Sequence, residues 1–185
     1  MSEAIATRRS VNRVTERPVD RAVIQRLITA ATWAPNHKLT QPWRFVVRTG
    51  AARTALGEAH ADAVQRAKPG QDPQARAGLV ALAHRAPVII ACIQVVDGDD
   101  PVVRREDRDA VAAAVQNLLL EAHHEGLGAV WRSGLFCDEE EVRAHLGLGP
   151  DDAIVAFVYL GYPDESAAPQ PRRSPDDVTE WRDGA

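Results

Sequence analysis

Two stretches decide the fold: VIIACIQVV at residues 88–96 and DRDAVAAAVQNLLLEAHHE at residues 107–125. The first is a continuous, largely β-branched apolar run. Side chains alternate across a sheet, so a strand apolar at successive positions must be covered on both faces. The second places Val111, Ala114, Val115, Leu118, Leu119 and Ala122 at helical spacing. It is apolar around much of its circumference, as a central or interface helix is.

Further elements follow outward from these two. A short helix begins near the N-terminus and stops before Arg8. Pro18 and Asp20 open a helix that carries Val23, Ile24, Leu27, Ile28 and Ala31 on one face and ends near Trp33, because Pro35 disfavours helical geometry at Ala34. Residues 43–48 read as a strand closed by Thr49 and Gly50. Residues 51–67 and 74–85 read as helices, with a loop at residues 68–73. A short strand at 129–132, an acidic-headed helix at 138–146 and a buried strand at 153–160 complete the chain. The order gives an α+β protein of about four strands and five or six helices, and it lacks the strict βαβ alternation of a dinucleotide-binding fold.

The 185 residues suit one domain, residues 1–185, with residues 163–185, rich in Pro, Ala and Ser at their start, as an extended C-terminal arm. A net charge of -4 gives no footprint for nucleic acid or an anionic membrane. The N-terminus lacks the apolar core of a signal peptide, and the longest apolar run, residues 86–96, is too short to span a bilayer as a helix. A soluble, cytoplasmic protein is expected. Of the two cysteines, Cys92 reads as a core residue and Cys137 lies before an acidic helix start; a disulfide between them fits the count but not a reducing compartment.

The familiar catalytic motifs are missing. Gly126-Leu127-Gly128 precedes a strand, whereas a dinucleotide fingerprint follows one, and it lacks the third glycine. There is no phosphate-loop motif and no nucleophile elbow. His123 and His124 are adjacent on a helix and so point about 100° apart, which suits solvation better than a metal. The acidic run from Asp138 to Glu141 lacks the spacing of a calcium loop. No metal site and no catalytic side chain emerge, which leaves a cofactor to carry any hard chemistry.

Three segments, and a weaker fourth in the arm, could hold such a group. Arg8, Arg9 and Ser10 offer forked guanidinium donors and a hydroxyl suited to a phosphate, although an exposed basic segment looks the same. Residues 34–43, APNHKLTQPW, pack two prolines, polar donors and a cation between a helix and a strand, as a rigid ligand-facing loop or as a plain connector. Trp131, Arg132 and Ser133 lie where a strand ends. Arg172 and Arg173 in the arm could close over a phosphate or stay solvated.

The succession of Arg8-Arg9-Ser10, APNHKLTQPWRF (34–45), GLGAVWRSG (126–134), LGYP (160–163) and PRRSP (171–175) resembles the nitroreductase family of flavoproteins, and within it the small, minimal-loop branch. The resemblance runs from Arg8 to about Val178. It implies a nitroreductase-like fold with a central, mostly antiparallel sheet flanked by helices, in an intertwined homodimer with two FMN sites between the subunits. By the same resemblance Arg8, Arg9 and Ser10 match the segment that holds the ribityl and phosphate groups. Pro35, Asn36 and His37 match a segment reaching the FMN from the partner, with Asn36 and His37 in place of two serines. Trp131, Arg132 and Ser133 match the segment beside the isoalloxazine ring, Arg173 a tail cation on the phosphate, and Trp33 a contact position. Leu39 stands where many members carry an asparagine.

The activity so implied is transfer of hydride from NADH or NADPH through flavin N5 to a nitro compound, quinone or similar small-molecule acceptor, in ping-pong order. The alternatives are an FMN-binding or sequestering protein with little turnover, and a related flavin dehydrogenase. Either Arg132 or Arg8 could place a cation at the N1–C2 edge of the ring.

Overall fold

The structure is a computed structural model and describes residues 3–168, 170–182 and 184. Four strands, β1 (Trp43–Thr49), β2 (Val88–Gln94), β3 (Gly128–Arg132) and β4 (Ala153–Gly161), form one sheet in the order β1-β2-β4-β3. Every ladder is antiparallel. The N-terminal segment adds a parallel bridge from Ser10 to Ala129 on the β3 edge.

The alternation in β2 explains the layers. Val88, Ile90 and Cys92 face one core with Leu27 and Val111, while Ile89, Ala91 and Ile93 face a second core with Leu56 and Val142. Helices α2 (Arg21–Thr32) and α5 (Pro101–His124) therefore cover the first face, and α3 (Ala52–Ala67) and α6 (Glu140–His145) the second, with α4 (Pro73–Ala81) packed on α3. A short α1 (Glu3–Thr7) lies against α5. The two cysteines sit in opposite cores, so the disulfide that the count allowed does not form; both thiols are free.

Most expected elements appear, with shifts at their ends. Helix α5 starts at Pro101, six residues before the expected start at Asp107, because Asp100 accepts from the Val102 and Val103 amides and Pro101 occupies the first turn. Helix α4 is capped in the same way by Asp72 and Pro73, and tightens into a 3-10 turn at Leu82–His84. Strand β2 stops at Gln94, whose buried amide donates to the Arg104 carbonyl at 2.6 Å, while the Val96 amide turns to Asp152. The close approach of the N-terminal segment to β3 requires glycine at 128, where a Cβ would meet Val11 Cγ1 at 2.7 Å. No described helix is long and apolar enough to cross a membrane.

Leu118 of α5 is fully buried between the sheet and α2, whereas Val102 at the start of the same helix is 47% exposed. Leu118→Ala is expected to lower unfolding free energy by about 2–5 kcal/mol, and Val102→Ala by less than about 1 kcal/mol. Urea titration checks this, and equal effects would contradict the assigned layer order.

Candidate functional site

The constellation sits at the two ends of α5. At the C-terminal end, Thr7 Oγ1 and His123 Nε2 lie 2.8 Å apart, which fixes the start of the Arg8-Arg9-Ser10 segment. The segment then joins the sheet edge through the Ser10 bridge and the Val11 amide on the Ala129 carbonyl at 3.1 Å. Arg8 is partly buried. Its guanidinium pKa is held below the ordinary value, first by burial and then by the charges of Arg9 and Arg172. Arg9 donates to the Ala6 and Arg8 carbonyls at 2.8 Å, and its Nε is buried with no hydrogen-bond partner. No carboxylate is paired to Arg8, Arg9 or Arg172 among the described residues. An anion beside Arg8 would offset the burial and like charge that disfavour its charged form. Forked, uncompensated donors of this kind fit a phosphate.

The tail cation at this cluster is Arg172. Arg173, singled out from the sequence, instead donates to the Asp177 carbonyl at 2.7 Å within the 3-10 turn Pro175–Asp177, which Ser174 caps. The tail is brought to the N-terminal segment by Glu165, whose Oε1 accepts from the Asn12 and Arg13 amides at 3.1 Å.

At the other end of α5 lies the connector from α2 to β1. Pro35, Asn36 and His37 line an open cleft with Glu106, Asp109 and Ala113 of α5. His37 Nδ1 bonds Glu106 Oε2 at 2.6 Å, Thr40 donates to the buried Asp107 at 2.6 Å, and Asn36 Oδ1 accepts from the Gln41 amide at 2.9 Å. These bonds hold an unusual backbone: Lys38, Leu39 and Gln41 all have positive φ. Non-glycine residues in the left-handed region store strain, which clusters at ligand-facing loops. Trp33 and Leu39 stand 83% and 77% exposed beside this connector.

Glu106 and His123 are 17 positions apart on one helix. At 1.5 Å per residue the two anchor points are about 25 Å apart. One chain therefore does not bring Pro35, Asn36 and His37 to Arg8, Arg9 and Ser10.

Strand β3 divides its residues by alternation. Trp131 packs against the core on the α2–α5 face. Arg132 turns to the opposite face, donating to Asn12 Oδ1 at 3.0 Å with its guanidinium carbon 6.0 Å from the centre of the Tyr159 ring. Ser133 follows, exposed, at the strand end. Asn12 and Glu165 are the neighbours that motif reading passed over, and it placed Arg173 ahead of Arg172. The like-charged repeat at Arg172 and Arg173 gives no means of choosing between them, and Asn12 is one polar residue in a polar segment.

The model of the Nitroreductase family matches residues 5–162. YfhC of Bacillus subtilis (strain 168), named provisionally as an NAD(P)H nitroreductase, is 30% identical over 167 residues, covering 90% of this chain and 86% of its own. The crystal structure of a nitroreductase-like family protein from Bacillus cereus superposes with a TM-score of 0.85 at 29% identity, over 98% of this chain and 95% of that one. A point variant of NfnB from Sphigopyxis sp. strain HMH, named an FMN and NADPH-dependent nitroreductase, gives a TM-score of 0.76 at 27% identity over 98% of each chain. With the family model spanning both the α5-end segments and the whole sheet, this chain belongs to the nitroreductase family.

Proposed function

We propose that the chain is an FMN-dependent oxidoreductase of the cytoplasm that takes hydride from NADH or NADPH and reduces a nitro compound, quinone or similar acceptor, acting as a homodimer. The observation that carries this reading is the half-buried Arg8-Arg9 pair anchored at the β3 edge, with exposed Arg172 the tail charge that acts on it and no carboxylate paired to any of the three among the described residues. The relative named as FMN- and NADPH-dependent supports the identity of the phosphorylated group.

In this reading the guanidiniums of Arg8, Arg9 and Arg172 hold the phosphate, and Ser10 adds a hydroxyl. Trp131, Arg132 and Ser133, at the end of β3, are the residues that would border the ring. The Arg132 guanidinium, turned toward Tyr159, is then left out of ring contact. FMN held there would supply a two-electron hydride carrier for reductant and acceptor in turn, so that no protein acid or base is obligatory.

The two ends of α5 also specify the partner. A two-fold pairing that runs α5 of one copy against α5 of the other brings Pro35, Asn36 and His37 of one chain to Arg8, Arg9 and Ser10 of its mate. It also covers Trp33 and Leu39, which a lone chain leaves to water.

The purified, FMN-loaded protein is expected to be yellow, to bleach anaerobically with NADH or NADPH, and to regain colour on addition of a quinone or nitroarene. A chain that takes up no FMN would end the reading, and a yellow chain that no nicotinamide bleaches would reduce it to flavin storage. Arg8→Ala is expected to weaken FMN binding by on the order of 2 kcal/mol, roughly 30-fold. Arg172→Ala is expected to cost more FMN affinity than Arg173→Ala in the same fluorescence titration; the reverse order would remove Arg172 from the phosphate cluster.

A further inference from the structure

The face of the sheet turned away from α2 and α5 holds a cavity of about 160 Å³ that the flavin reading touches only at Ser133 and Arg132. Its floor and one wall are apolar: Leu79, Leu82 and Ala83 from α4 and its terminal turn, and Phe136. Phe136 is held edge-on by His60 at 4.7 Å between centroids, and His60 is in turn fixed by Glu139 at 2.6 Å. An apolar cavity of about 150 Å³ accommodates benzene, so the space is that of one six-membered ring.

The opposite wall is cationic. Arg85 and Arg132 both line the cavity with Tyr159. Both guanidiniums act on the Tyr159 hydroxyl, opposing the rise that burial gives its pKa. No carboxylate pairs with either guanidinium among the described residues, and the Arg132 Nε is buried without a partner. The acidic groups nearby are already engaged: Glu139 by His60, and Asp164, on the outer cleft that Arg85 and Arg132 also line, faces Arg13 at 4.0 Å. A ring-sized apolar floor beneath two uncompensated forked donors is the complement of a flat apolar group that ends in a carboxylate.

We propose that this cavity is a second ligand site, meeting the flavin-facing segment only at Ser133 and the base of Arg132 and otherwise distinct from it, which binds small aromatic carboxylates with the ring on Phe136 and Leu79 and the carboxylate on Arg85 and Arg132. It does not depend on flavin binding, since neither Arg8 nor Arg9 is among the residues that line it. A chain that failed to take FMN would leave it standing.

The test is calorimetric titration of the flavin-stripped full chain with benzoate and with benzamide, which keeps the ring and removes the charge. Benzoate is expected to bind at least about tenfold more tightly than benzamide. Arg85→Gln is expected to abolish that preference while leaving benzamide unchanged, and Leu79→Trp, which fills the apolar end, to abolish both with an unaltered far-ultraviolet circular dichroism spectrum. If the tryptophan variant misfolds, Arg85→Gln decides alone. Equal binding of the two probes, a preference that survives Arg85→Gln, or displacement of benzoate by FMN would overturn the proposal.

Discussion

The controlling constraint is that β2 and β4 are apolar on both faces. Val88, Ile90 and Cys92 on one side and Ile89, Ala91 and Ile93 on the other cannot be left to water, so the sheet is roofed by helices above and below. At about 25 cal/mol per Å² of apolar surface removed from water, such strands supply much of the driving force for the whole arrangement. Once both faces are sealed, chemistry is confined to the sheet edges, the strand ends and the ends of the covering helices. The Arg8 cluster lies on the β3 edge and the Asn36 connector at the far end of α5.

Helix α5 turns that confinement into a division of labour. Its apolar stripe, from Ala110 to Ala122, sits on the sheet, while its two ends carry the polar anchors Glu106, Asp107 and His123. The helix is thus both the lid of one core and a spacer of fixed length between two incomplete groups of ligand-facing residues. Strain in the connector is paired with the same device. The left-handed backbone at Lys38, Leu39 and Gln41 persists because Asp107, buried in the helix, binds Thr40.

Much of this was legible in the chain. The run at residues 88–96 announced a doubly covered strand because nearly every position is apolar, and the α5 periodicity survived because packing and propensity agree there. Helix starts marked by an aspartate and a proline, at Asp100 and Asp72, were equally present in the sequence but lay outside the apolar repeat, so the helix start at Pro101 was read late. Which tail arginine joins the cluster was not legible, since Arg172 and Arg173 are chemically identical and only the Ser174 cap fixes which way each points. The direction of Arg132 follows from strand parity, which becomes usable only once the register with Phe157 and Tyr159 is known.

The central claim is that two groups of residues about 25 Å apart on one chain complete a single flavin site only across a pair of chains. The most direct measurement is the FMN stoichiometry of mixed dimers, co-expressed with two different tags from an Arg8→Ala chain and an Asn36→Ala/His37→Ala chain. Each mixed dimer then contains one site with both defects and one site with neither. The account predicts that each variant alone binds FMN weakly, while the mixed dimer holds one tightly bound FMN per pair of chains. A mixed dimer with no tight site would place all the contacts within one chain and contradict the account.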